Sequence, residues 1–178
     1  MSESAELRGL LDKQAIAEVI YRYARAIDRC DIELLRDCFH PDSTHDHGEF
    51  EGSSLAFCDW AMELLTHLTA TQHHIGNILI ELHGERAFSE AYWIAYHRIP
   101  AQAAASGLVV SGGHETDLII GGRYIDRFER RAGAWKIARR VGIHDFQRYQ
   151  QANDGGFFDS DPRKRGMRSR ADLAYLRS

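Results

Sequence analysis

The residue types best suited to chemistry lie in two short stretches. Asp28 stands at the end of a segment whose apolar residues recur with helical spacing, and His73 and His74 open a run rich in Ile and Leu. An imidazole held by a buried carboxylate can take a proton near neutral pH without metal or cofactor. The dipole of a helix favours cations at its C-terminus, so an acid at that end needs a compensating partner. The plain alternative for Asp28 is a solvated helix-end acid. Alternation along a strand sends His73 and His74 to opposite faces, so at most one of them looks into an interior.

The same alternation separates Arg139 from Arg140. Arg139 shares its parity with Trp135, Ile137 and Val141, and Arg140 shares its own with Lys136 and Ala138. The spacing therefore puts Arg139 on the apolar row, with Arg140 taking its place if the register slips by one. A guanidinium on such a row needs an anion or several acceptors, which a departing leaving group, an enolate or a structural ion pair would each supply. Tyr23 lies on the apolar stripe of the first helix, where it is either a core aromatic or a hydroxyl aimed at a site. His97 sits on a strand whose alternate positions are small, and His144 on the last strand; both are weaker candidates. Seven of the ten histidines fall at His40, His45, His47, His67, His73, His74 and His83. His45 and His47 form a strand-like HxH, but no third ligand, HExxH or Cys/His set accompanies them, so neither a metal nor a cofactor is expected.

Positioning these groups falls to a helical first part and a strand-rich second part. Leu7, Leu10, Leu11, Ile16, Val19, Ile20, Tyr23 and Ile27 recur mostly at three and four, predicting one helix with a single buried face. A short helix is predicted over Ile32 to Phe39, N-capped by Asp31 and stopped before Pro41, and a third over Ser54 to Leu68 capped by Ser53 or Ser54. The polar stretch Ser43 to Gly52 reads as connection. Strands are predicted over His74 to His83, Arg86 to Ala101, Leu108 to Arg130 and Trp135 to Tyr149, with turns at Gly84-Glu85 and Ala132-Gly133 and a flexible link from Ala101 to Gly107. Helices first and an antiparallel sheet afterwards imply an α+β architecture in which a curled sheet wraps around its helices. Residues 1–150 read as one domain. Residues 151–178, with Arg163, Lys164, Arg165, Arg168 and Arg170, read as a basic tail whose Phe157, Phe158, Leu173, Tyr175 and Leu176 pack against something.

Composition limits the partners. The 178 residues, 44% hydrophobic, supply one ordinary core, and 22 basic against 26 acidic side chains give a net charge of -4. That balance provides no global positive field for a phosphate backbone, so nucleic acid is not an expected partner. No apolar run approaches the roughly 20 residues needed to span a bilayer. Cys30, Cys38 and Cys58 form an odd set without CxxC spacing, and no secretory signal opens the chain, which points to a reducing cytoplasm.

The helix ending AIDRCD, the segment CFHPDS, the strand entry HHIGN and the hairpin GGRYIDRFERRAGAWKIARR together resemble the SnoaL-like branch of the nuclear-transport-factor-like superfamily over roughly residues 7 to 150. Within it the pattern is nearest to hexachlorocyclohexane dehydrochlorinase, scytalone dehydratase and bile-acid 7-alpha-dehydratase. The resemblance implies a cone-shaped α+β barrel with an interior pocket. It also implies a His-Asp dyad at His73 and Asp28, the family tyrosine at Tyr23 and the family arginine at Arg139, with Arg140 as the fallback. The activity implied is that of a cofactor-independent lyase, a dehydratase or dehydrohalogenase, on a hydrophobic cyclic compound. Relatives of the branch also serve as isomerases, polyketide cyclases and small subunits of ring-hydroxylating dioxygenases, so an isomerase and a non-catalytic binding module remain alternatives. Homo-oligomers, a trimer before a dimer, are implied as well.

Overall fold

The computed structural model describes residues 3–103, 113–157 and 165–175. Helix α1 (Glu3–Arg29) is followed by the short α2 (Ile32–Asp37), strands β1 (Phe39–Asp46) and β2 (Glu51–Ser53), and helix α3 (Ser54–Thr66). Four long strands complete the fold: β3 (Ala70–His83), β4 (Arg86–Ile99), β5 (Thr116–Arg131) and β6 (Ala134–Gln151). They form one six-stranded sheet in the order β2-β1-β6-β5-β4-β3, antiparallel throughout except where β1 runs parallel to β6. The architecture is α+β with a curved sheet, as expected. The curl does not close into a barrel, because β2 and β3 remain its two edges among the described residues.

Local chemistry sets the helix ends. Asp31 accepts the N–H of Leu34 as N-cap of α2, and Ser53 accepts that of Ala56 as N-cap of α3. Helix α1 is buried from Ile16 onward, through Val19, Ile20, Tyr23 and Ile27. Its first turns depart from the expected single buried face, since Leu7, Leu10 and Leu11 are 57, 65 and 61% exposed. They run beside the edge strand β3, where a Cβ on Gly9 would meet Leu82 at 3.8 Å, with no further layer among the described residues to cover them.

Strands β1 and β2 replace the connection expected between α2 and α3. Among β1's inward-facing residues are Ser43 and His45, both buried, so alternation there carries only a weak hydrophobic signal. The start expected for β5 at Leu108 and most of the Ala101–Gly107 link lie outside the described residues, as do Phe158, Arg163, Lys164 and Leu176.

A bulge in β6 corrects the expected place of Arg139. Phe128 pairs with Ile137 but Arg127 pairs with Arg139, so Ala138 is an extra residue in β6. One inserted residue reverses the alternation beyond it. Arg139 therefore faces outward and is exposed, and Arg140 is the arginine in the interior, with no exposed surface. Residues 165–175 fold back over the corner of α1 and α2. Arg168 donates to the carbonyls of Leu65 and Leu68 at 2.6 Å each, Tyr175 donates to Asp31 at 2.9 Å, and Arg170 pairs with Asp31 at 3.1 Å.

The Arg140 guanidinium meets both carboxylate oxygens of Asp126 at 2.7 Å, and both side chains are fully buried. Asp126→Ala leaves that charge unpaired and is expected to cost about 3–5 kcal/mol in urea denaturation. Arg139→Ala is expected to stay within about 0.5 kcal/mol of the parent protein.

Candidate active site

The acid is delivered by the way α1 ends. Asp31 N–H donates to Ala26 O at 2.9 Å and Cys30 N–H to Ile27 O at 3.3 Å, a Schellman arrangement in which Cys30 takes the left-handed position at φ 50°. The chain turns away there and leaves Asp28 pointing at the start of β3. His73 meets it twice: its backbone N–H donates to Asp28 Oδ2 at 2.9 Å and its ring Nδ1 lies 2.8 Å from Oδ1. An ionised carboxylate only accepts hydrogen bonds, so the ring proton belongs on Nδ1 and Nε2 is left with its lone pair. The side chains of His73 and Asp28 are 9 and 13% exposed. His74, one residue on, is exposed on the other face.

Burial pushes the Asp28 carboxyl up, but the hydrogen bond and charge of His73 outweigh it, and the net shift is below the ordinary 3.8. Nε2 is therefore supported by a carboxylate that stays ionised.

His73 borders an apolar hollow with about 620 Å³ of empty space, its open mouth included. Helix α3 builds one wall with Phe57, Trp60, Leu64 and Leu65, and α1 contributes Tyr23 and Ile27. The sheet side carries His73, His97, Leu118 and Tyr124, and His47 stands just past the end of β1. Burial raises the Tyr23 hydroxyl to about 12 against the opposing Arg140 charge, so it remains a donor. Burial also lowers His47 and His97 to about 3, which keeps both rings neutral at physiological pH.

The interior arginine has a different position from the one the sequence suggests. Besides its bidentate contact with Asp126, the Arg140 guanidinium lies between the rings of Tyr23 and Tyr124, 4.1 Å from each centroid. Its charge is balanced within the protein by Asp126, and its Nη1 is buried with no hydrogen-bond partner among the described residues. Of the residues singled out from sequence, His73 and Tyr23 line one hollow with Asp28 bonded to His73, Arg140 stands behind Tyr23, and Arg139 and His74 point away. His45 and His47 do project to the same side, their rings 5.6 Å apart, but His45 stacks on Phe57 at 3.5 Å. Among the described residues no three His, Cys, Asp or Glu side chains gather as metal ligands. Asp126 was not anticipated. Its signal was an acid on the same row as Tyr124 and Phe128.

The class of protein follows from this fold and site: a curved sheet folded around helices, with a histidine from the sheet at the wall of an apolar hollow and held by an acid from the first helix. The family model of the SnoaL-like domain matches residues 8–141, and the chain belongs to that family. An uncharacterized protein of Mycobacterium tuberculosis is 26% identical over 140 residues, 77% of this chain and 88% of that protein. Among solved structures, a type 2 hexachlorocyclohexane dehydrochlorinase matches with a TM-score of 0.70 at 17% identity, over 84% of this chain and 99% of the other. A protein of Novosphingobium aromaticivorans provisionally assigned as a scytalone dehydratase matches at 0.66 and 22% identity, over 82 and 91%. At such identities the structural matches establish the fold. Among the described residues no helix is long and apolar enough to cross a membrane.

The depressed Asp28 pKa ties the dyad to stability. A carboxyl whose folded pKa lies below its unfolded value stabilises the fold above the unfolded pKa, and that contribution is lost as pH falls through the folded one. Asp28→Asn is thus expected to lower the urea midpoint at pH about 7, with the gap to the parent protein closing below about 4. A gap that stays constant across that range would remove the linkage.

Proposed function

We propose that the protein is a cofactor-independent lyase, a dehydratase or dehydrohalogenase acting on a hydrophobic cyclic small molecule. The observation that carries this reading is the two-point contact of Asp28 with His73 at the wall of an apolar hollow. Asp28 holds the tautomer and stabilises the imidazolium that forms, and His73 Nε2 takes the substrate proton. Tyr23, kept protonated by burial, donates to the departing hydroxide or halide. Arg140 supports Tyr23 from behind, since its own charge already faces Asp126. The three cysteines, all unpaired, suit a reducing cytoplasm.

Self-association belongs to the same reading. Leu79, Phe88, Tyr92, Ile94 and Phe146, on β3, β4 and β6, are 44–64% exposed. Apolar surface of this kind is commonly buried between copies, here in a trimer. Light scattering is expected to give a multiple of 20.3 kDa, falling toward the single-chain mass in Ile94→Glu. A single-chain mass for the parent protein at micromolar concentration would remove the assembly.

The activity is tested by screening halogenated, steroidal and polyketide ring compounds for elimination products. Turnover of a hit is expected to fall about a hundred- to ten-thousand-fold in both Asp28→Asn and His73→Ala, and to survive in His74→Ala. Unchanged turnover in Asp28→Asn takes the acid out of the mechanism. Solvent deuterium entering the compound with no loss of water or halide would identify an isomerase instead.

A further inference from the structure

The basic segment after β6 carries charge that the lyase reading leaves unused. Three other largely buried arginines each face a carboxylate: Arg98 meets Asp117 at 2.7 Å, Arg130 meets Asp12 at 2.8 Å and Arg140 meets Asp126 at 2.7 Å. Arg168 has neutral partners only. Its Nη1 donates to the carbonyls of Leu65 and Leu68 at 2.6 Å each, its Nη2 lies 3.1 Å from the Cys30 thiol, and its Nε is buried without a hydrogen bond among the described residues. Burial raises the Cys30 thiol, so it stays protonated beside the guanidinium and supplies no negative charge.

Arg168 stands at the wall of a second cleft, between the end of α1, the start of β3 and the returning segment, with about 1110 Å³ of empty space, its open side included. This cleft and the hollow share no lining residue among those described. Arg29 enters it from α1 and Arg165 from the returning segment. The Arg29 guanidinium lies alongside Gly166, where a Cβ would come within 3.4 Å of its Nη1. Asp172 is 3.9 Å from Arg29 and already accepts the N–H groups of Met167 and Ala174. Asp28, the one acid of the described lining, is taken up by His73. Phe157 and Met167, 52 and 44% exposed, add apolar surface to the same lining.

We infer that this cleft is a binding site, separate from the hollow, for a small-molecule phosphate monoester whose phosphate sits between Arg29 and Arg168 and whose organic part covers Phe157 and Met167. A largely buried cation without a counter-ion is unfavourable, and an anion in the cleft supplies the missing charge. Guanidinium groups suit phosphate oxygens in geometry as well as charge. Two arginines facing one space, with the nearby acids already engaged, match a doubly charged group better than a singly charged one, and a phosphate monoester carries about -1.5 to -2 at neutral pH. Because Arg29 belongs to α1 and Arg168 to the returning segment, the ligand bridges the two and stabilises the folded chain by mass action.

The test follows binding of phenyl phosphate to the full chain by calorimetry at constant ionic strength, with phenyl sulfate and inorganic phosphate as comparisons. Phenyl phosphate is expected to bind more tightly than either, since the first lacks one charge and the second the ring. Arg29→Gln, at a partly exposed side chain, and Arg168→Gln are each expected to weaken phenyl phosphate binding about tenfold or more. Arg148→Gln, at an exposed cation of β6, and Leu64→Trp, which narrows the hollow, should leave it unchanged. Phenyl phosphate should also raise the thermal midpoint of the parent protein, a readout that needs no variant to fold, and raise it less in Arg29→Gln. No binding of phenyl phosphate, an affinity no greater than that of phenyl sulfate or inorganic phosphate, an affinity kept in Arg29→Gln, or one lost in Leu64→Trp would each overturn the assignment. None of these readouts uses turnover, so failure of the elimination chemistry and failure of the phosphate site are seen separately.

Discussion

The carboxylate of Asp28 accepts two hydrogen bonds from one residue, and the candidate site depends on that geometry. One bond comes from the His73 backbone and fixes where β3 begins relative to the end of α1; the other comes from the ring and fixes the tautomer. A largely buried carboxylate is unfavourable by itself, and a single side-chain partner would leave one oxygen unsatisfied. Two bonds from the same residue satisfy both oxygens and remove the freedom of the ring together. The left-handed turn at Cys30 is part of the arrangement, because it ends the helix one turn past the buried stripe and keeps the acid at the sheet. The returning C-terminal segment grips the same corner, with Arg168 joining the carbonyls of Leu65 and Leu68, at and just past the end of α3, to Cys30 Sγ. The wall of the hollow and the acid of the dyad are thereby tied to one point.

Polar groups inside the sheet fall into two kinds. Arg140 and Asp126 form a bidentate pair: full charges, both buried and framed by two tyrosine rings, with Arg140 Nη1 making no hydrogen bond among the described residues. Their mutual attraction offsets a large desolvation cost, so the pair supports the shape of the site more than it adds net stability. His47 and His97 are of the second kind, neutral and unpartnered at Nδ1. Leaving a neutral imidazole nitrogen without a partner costs far less than leaving a charge unpaired, so the guanidinium takes the bidentate carboxylate even though its Nη1 makes no hydrogen bond among the described residues.

Helices and long strands were legible in the sequence because their apolar periodicity and end signals agree. Asp31 and Ser53 cap α2 and α3, and the turns at Gly84 and Gly133 both take positive φ. The approach of Asp28 to His73 was legible through chemistry and resemblance together. What escaped had polar residues doing the inward packing: β1, whose Ser43 and His45 sit where apolar side chains signal a strand, and Asp126 on a core row. The third miss came from counting by twos along β6, a rule that a single extra residue defeats.

The reason for that extra residue lies beyond the arginines. Without the bulge Asp126 would still stand opposite an arginine, since the register Phe128 to Ile137 continued by twos brings Arg139 across from it. Ion pairing alone therefore does not choose between the two registers of the Arg139-Arg140 pair. The next inward positions do. With the bulge, Tyr124 pairs with Gly142, and the absent Cβ at Gly142 is what admits the His47 ring. Without it Val141 would occupy that place and its side chain would meet the imidazole. An extra alanine and a glycine four residues later thus act together: the first turns the strand over, and the second makes room for His47 at the hollow. A glycine inside a long strand was the visible trace of this arrangement, marking a close approach by another group.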